Sequence, residues 1–168
     1  MKKSLFLLCL IGSFFLFSSC SDDDVRNPVV GNWVLKSYSI QIPIDLNGDG
    51  IYSTNLLKET GCAVREVLSF ATNGIVASTH TFNPELQIAL KEDTTDEYFV
   101  NEICAEGILG FAAEYDQIGE ESISYNDNIG TVRGNRLSLV FKNAIKIYNA
   151  DFTKVIATKD LFVIYQKV

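Results

Sequence analysis

The chain has 168 residues, with 14 Lys+Arg against 21 Asp+Glu and a formal net charge of −7. That length fits one domain, and the acidic balance argues against a phosphate-backbone partner, so no nucleic acid is expected. A hydrophobic content of 47%, with 11 Phe and 7 Tyr, is too high for a disordered chain and supplies a core.

Residues 1–20 read MKKSLFLLCLIGSFFLFSSC. Lys2 and Lys3 form a basic start, and Leu5 to Phe17 is an almost purely apolar run. That run is shorter than the ~20 residues a membrane-spanning helix needs, so it reads as the apolar part of an export signal. Ser18 and Ser19 fit a narrow peptidase site, and Cys20 directly after them offers a thiol for a lipid. The segment resembles a bacterial lipoprotein signal. The resemblance implies cleavage after residue 19 and a lipidated Cys20 as the new N-terminus; the competing reading is an ordinary secretory signal. Ser21-Asp22-Asp23-Asp24 is similar to the export signal of surface-exposed lipoproteins in some Gram-negative bacteria, and it also reads as a solvated spacer. Residues 20–30 contain Pro28 and lack any period, so they are expected to be an acidic tether.

Residues 31–168 read as one β domain. Residues 31–40 open a strand, with Trp33 and Leu35 on one face, and Pro43 is expected to end it. Residues 64–70 alternate, with Val64, Leu68 and Phe70 on one face and charged Glu66 breaking the pattern. Asn73-Gly74 is a hairpin signal, because both residue types tolerate positive φ, and residues 75–82 form the return strand up to Pro84. Residues 86–91 and 97–103 are short strands around the polar stretch EDTTD. Residues 105–115 have helix-forming Ala, Glu and Leu, but Gly107 and Gly110 each cost about 1 kcal/mol in a helix, so a strand is expected. Residues 121–125 and 129–133 follow, and Gly134-Asn135 is another tight-turn signal. Residues 137–142, 144–149, 152–157 and 161–168 complete the chain. The expected fold is all-β: a small antiparallel up-and-down barrel of about eight to ten strands, with one short helix near residues 54–60. Thr54 is the expected N-cap of that helix, and Gly61 lies past its end.

Gly31-Asn32-Trp33 is similar to the Gly-x-Trp that opens the first strand of lipocalins. Asp45-Leu46-Asn47-Gly48-Asp49-Gly50 follows, then residues 53–59, Cys62, Leu68-Ser69-Phe70 and Asn73-Gly74. In that order the chain resembles the lipocalin-like domain lipoproteins of Gram-negative bacteria, over roughly residues 28–168. The resemblance implies a small lipocalin-like barrel on a lipid anchor and no particular activity. After the last strand the nearest cation to Trp33 is Lys167, an ammonium and not the guanidinium that would stack on the ring in a lipocalin.

The main chemical signal is the spacing Asp45-x-Asn47-x-Asp49-Gly50. A hard cation such as Ca²⁺ takes about six to eight oxygens, and alternating Asp and Asn side chains converge when the backbone wraps an ion. Gly50 allows the sharp turn; the Ile51 carbonyl and Ser53 occupy the next ligand positions, and Leu56 stands where a bidentate Glu would be. Glu59 substitutes only if the following segment folds back. The competing reading is an acidic turn in which Asp and Asn bond their own backbone. Cys62 and Cys104 are the two thiols left once residues 1–19 are removed and Cys20 is lipidated. Outside the cytoplasm they are candidates for a disulfide closing about 43 residues, against two buried free thiols.

His80 is the sole histidine, mid-strand and without a nucleophile-elbow pattern beside it. The pairs Glu92-Asp93, Asp96-Glu97 and Glu120-Glu121 read as solvated turns. No catalytic residue stands out, and an enzyme is not expected. The expected protein is a lipid-anchored cell-envelope barrel at the outer membrane, on its periplasmic or surface side, that binds a small apolar ligand. The alternative is a structural or accessory subunit of a cell-surface complex, with a packed barrel and no ligand.

Overall fold

The computed structural model describes residues 27–107 and 109–168. The export signal of residues 1–19, Cys20 and the tether up to residue 26 lie outside the described residues. Among the described residues no helix is long and apolar enough to cross a membrane.

Eleven strands form one sheet: β1 (Gly31–Ile44), β2 (Ser53–Asn55), β3 (Val67–Phe70), β4 (Ile75–Ser78), β5 (Glu85–Leu90), β6 (Tyr98–Ile103), β7 (Phe111–Gln117), β8 (Ser122–Tyr125), β9 (Asn128–Arg133), β10 (Arg136–Tyr148) and β11 (Val155–Lys167). Eight of them, β1-β3-β4-β7-β8-β9-β10-β11, pair antiparallel in that order and close when β11 pairs with β1. The expected all-β barrel is therefore present as a meander with two insertions. One is β2 with a 3-10 turn (Leu56–Lys58), set against β1; the other is the β5–β6 hairpin, bridged to β10 in parallel at Tyr148↔Ala89.

Alternation explains the core. Trp33 and Leu35 of β1, Leu68 and Phe70 of β3, Leu137 and Leu139 of β10, and Val163 and Tyr165 of β11 all point inward and are buried. Gly130 gives them room: a Cβ there would stand 2.7 Å from Leu139 Cδ2 and 3.0 Å from Ile123 Cγ1. Trp33 closes one end of the barrel. Its indole N–H donates to the Val29 carbonyl at 2.6 Å, and Lys167 Nζ stands 5.4 Å from the ring centroid while donating to the Pro28 carbonyl. Lys167 thus does cover the tryptophan face after the last strand, as a cation–π contact made by an ammonium.

Several local expectations change. Pro43 does not end β1: the chain bends at Gln41 (φ 59) and continues to pair with β2 at Ile44↔Ser53, a ladder in which Pro43 owes no N–H. The helix near 54–60 is a single 3-10 turn, capped by Asn55 and not Thr54; Asn55 Oδ1 accepts from Leu57 N–H and also from Tyr38 N–H of β1. The return strand 75–82 stops at Ser78, and residues 79–84 form a crossing segment. Within 105–115 only Phe111 onward is strand; at Gly110 a Cβ would press on the Ser78 carbonyl at 3.0 Å. The four short strands expected over residues 137–168 are two long ones, Arg136–Tyr148 and Val155–Lys167. Asn143 (φ 53) makes a bulge in β10, with its N–H held by Asp160 Oδ1 at 3.0 Å, so the strand runs on. The β10–β11 hairpin consequently overhangs the barrel at the end opposite Trp33.

Candidate functional site

Beneath that overhang lies a cavity of about 840 Å³. Tyr38 of β1 and Leu161, Val163 and Tyr165 of β11 line it toward the barrel core. Phe141, Ile145 and Tyr148 of β10 form one wall, Phe152 of the β10–β11 turn its far end, and the crossing segment with Leu86 and Gln87 of β5 the other wall. Phe82 of that segment is buried, with its ring edge-on to Tyr38 at 5.1 Å.

One charged side chain is buried in this wall. Glu66 precedes β3 and has the same inward parity as Leu68 and Phe70, so the strand directs its carboxylate into the interior; it is 5% exposed. Glu66 Oε2 accepts from Phe82 N–H and Oε1 accepts from the Tyr165 hydroxyl, both at 2.9 Å. Burial raises the Glu66 pKa, partly offset by those two hydrogen bonds, the Phe82 amide first. Around it, burial and then the Glu66 charge push Tyr38 and Tyr125 up to about 12, and Tyr165 rises for the same reasons. Thr81 Oγ1 beside the cavity is buried without a hydrogen-bond partner among the described residues. The two other charged residues of the lining, Glu85 and Lys146, are exposed at the rim. The arrangement suits an apolar body with one polar end placed at Glu66.

Glu66 was visible in the sequence only as the charge that breaks an apolar face. Nothing local marked the rest of the cavity, because its aromatic residues fall at strand period and read as core.

The other candidate residues are placed as follows. Cys62 and Cys104 form a disulfide, with S–S 2.02 Å and Cα–Cα 5.4 Å, which settles the choice against free thiols. Glu102, unnoticed in the sequence, braces the same junction by accepting from Thr60 Oγ1 at 2.5 Å and Gly61 N–H at 3.1 Å. Its carboxylate and the two sulfurs lie together, but the sulfurs are joined to each other and offer no thiolate to a metal. His80 is exposed on the crossing segment, with Nδ1 2.9 Å from Thr79 Oγ1.

In the acidic loop Asp45 accepts from the N–H groups of Asp49 and Gly50, Asn47 Oδ1 accepts from Asp49 N–H, and Asp49 Oδ1 accepts from Ile51 N–H. Ser53 Oγ bonds within its own strand to Asn55, and Ile51 is exposed. Asn47 Nδ2 donates to the Lys58 carbonyl, which ties the loop to the residue before Glu59. Glu59 is 3% exposed, and its Oε2 is buried with no hydrogen-bond partner among the described residues.

Fold and site together define a closed eight-stranded antiparallel barrel with a polar-based cavity at one end. No family model, curated protein or solved structure matches the chain.

Proposed function

We propose that this protein is a lipid-anchored, lipocalin-like barrel of the cell envelope that binds a small apolar ligand in the cavity under the β10–β11 overhang. The observation that carries the reading is the cavity itself: about 840 Å³, within the range of about 300–1,000 Å³ usual for small-molecule sites, with aromatic and aliphatic side chains toward the barrel core and polar ones, Asn83, Glu85, Gln87 and Lys146, among the rest of its lining. The test is mass analysis of what the envelope-purified protein releases on denaturation. The wild type is expected to release one small molecule in near-stoichiometric amount. Ala144→Trp, at an exposed position of the cavity wall, is expected to have lost it without overpacking the core. If the wild type releases nothing, the ligand reading falls. The accessory-subunit reading would then gain, and one feature supports it: Phe99 (53% exposed) and Phe152 (39%) pack edge-on and leave an aromatic surface beside Tyr148.

Anchoring at the outer membrane is proposed to depend on Cys20, from the order of basic, apolar and small residues before it. The exported and processed Cys20→Ala protein is expected in the soluble fraction; continued membrane association would refute the anchor.

A weak structural Ca²⁺ in the 45–59 loop is proposed from the spacing of Asp45, Asn47 and Asp49 and from the orphaned Glu59 Oε2. Without a bidentate Glu at the usual position, affinity belongs in the range of about 10⁻⁴–10⁻³ M. Millimolar Ca²⁺ should raise the melting temperature of the wild type and not of Asp49→Ala. An equal shift in both proteins, or none, leaves the acidic turn as the correct reading.

A further inference from the structure

We infer that the cavity selects a ligand whose apolar body ends in a protonated amine, with the Glu66 carboxylate as its counter-ion. The inference rests on the cavity being a ligand site and names the chemistry of that ligand. Glu66 is buried and has two hydrogen-bond donors, Phe82 N–H and the Tyr165 hydroxyl, but no cation pairs with it among the described residues. A buried carboxylate without a counter-charge is costly, and a positive charge is the partner that offsets the cost.

The surrounding surface points the same way. Tyr38, Phe82 and Tyr165 line the cavity together with Glu66, which gives an apolar body aromatic contact beside the carboxylate. An ammonium also has donors for the lone pairs that Phe82 and Tyr165 leave open. A fatty-acid carboxylate or a phosphate placed there would meet Glu66 as a like charge, and the one cation of the lining, Lys146, is exposed at the rim. A neutral alcohol would hydrogen-bond but bring no charge. The acidic chain, with a net charge of −7, favours approach of a cation.

The test uses the full chain and three probes of matched shape: 4-phenylbutylamine, 4-phenylbutanol and 4-phenylbutanoate, titrated calorimetrically at pH 7. The amine is expected to bind about tenfold more tightly than the alcohol, and the carboxylate more weakly than the alcohol. In Glu66→Gln the preference for amine over alcohol should disappear. Equal affinities, a preference for the carboxylate, or a preference for amine that survives Glu66→Gln would overturn the inference. In those cases binding of the alcohol would keep the cavity as an apolar site. Failure of all three probes to bind would overturn both. Should Glu66→Gln not fold, the ranking of the three probes on the wild type decides.

Discussion

Replacing Cys62 and Cys104 with serine together is expected to lower the free energy of unfolding by about 2–4 kcal/mol. The bridge joins residues 42 apart, and a cross-link of that span removes loop-closure freedom from the unfolded chain. Its position makes the loss local as well as global. Cys62 lies just before Glu66 and β3, while Cys104 directly follows β6, so the disulfide fastens the open end of the inserted β5–β6 hairpin to the barrel. The hairpin's ladder contact to the barrel is the single parallel bridge Tyr148↔Ala89. Glu102, through Thr60 and Gly61, would remain as a brace of charge-assisted hydrogen bonds. Urea titration of oxidised wild type and the double variant gives the global number, and hydrogen exchange gives the local one. Amides of β5 and β6 should lose more protection than those of β10 and β11. A midpoint unchanged within error, with β5–β6 still protected, would show that the hairpin holds without the bridge.

The barrel itself was legible because its physics is local. Inward alternation at Trp33/Leu35, Leu68/Phe70 and Leu137/Leu139 is a two-residue period visible along the chain, and Gly134-Asn135 closes the β9–β10 hairpin, with Gly134 at φ 58. What could not be read depends on residues far apart. Asn143 looks like a break between two strands until Asp160, on the neighbouring strand, takes its N–H. Pro43 looks like a terminator until the pairing of Ile44 with Ser53 places it where no ladder bond is owed. Lys167 covers Trp33 because the last strand closes beside the first, which is a property of the closed sheet. The cavity is of the same kind. Phe82, Phe141, Tyr148 and Phe152 each belong to a different local segment or turn of the pattern, and a period shared with core residues cannot tell a packed wall from the wall of a cavity. Glu66 was the one residue whose local pattern was wrong for a core, and it is the residue on which the site turns.

Glu66→Ala is expected to cost about 2–6 kcal/mol, since each donor left buried without a partner costs about 1–3 kcal/mol and two are stranded, the Tyr165 hydroxyl and the Phe82 N–H. Glu66→Gln should behave differently. Its carbonyl oxygen can accept from Phe82 N–H and its amide can donate to the Tyr165 oxygen, so shape and hydrogen bonds survive while ionisation is lost. Burial raises the Glu66 pKa above the ordinary carboxylate value of 4.5, so the folded state holds that proton to higher pH than the unfolded state does. Between the two values the native protein binds more protons, and its stability falls as pH rises. The contribution of Glu66 is therefore complete below the unfolded value and lost as pH climbs through the folded one. The groups facing it are Tyr38 on β1, Tyr125 on β8 and Tyr165 on β11, all raised above 10 and silent between pH 4 and 8. Exposed carboxylates titrate alike in both proteins and cancel in the difference. Stability measured by urea titration across that range should show Glu66→Gln gaining on the wild type as pH rises from 4. Parallel pH profiles would mean that Glu66 ionises in the fold as it does in water. The carboxylate would then be no more in need of a cation than one on the surface.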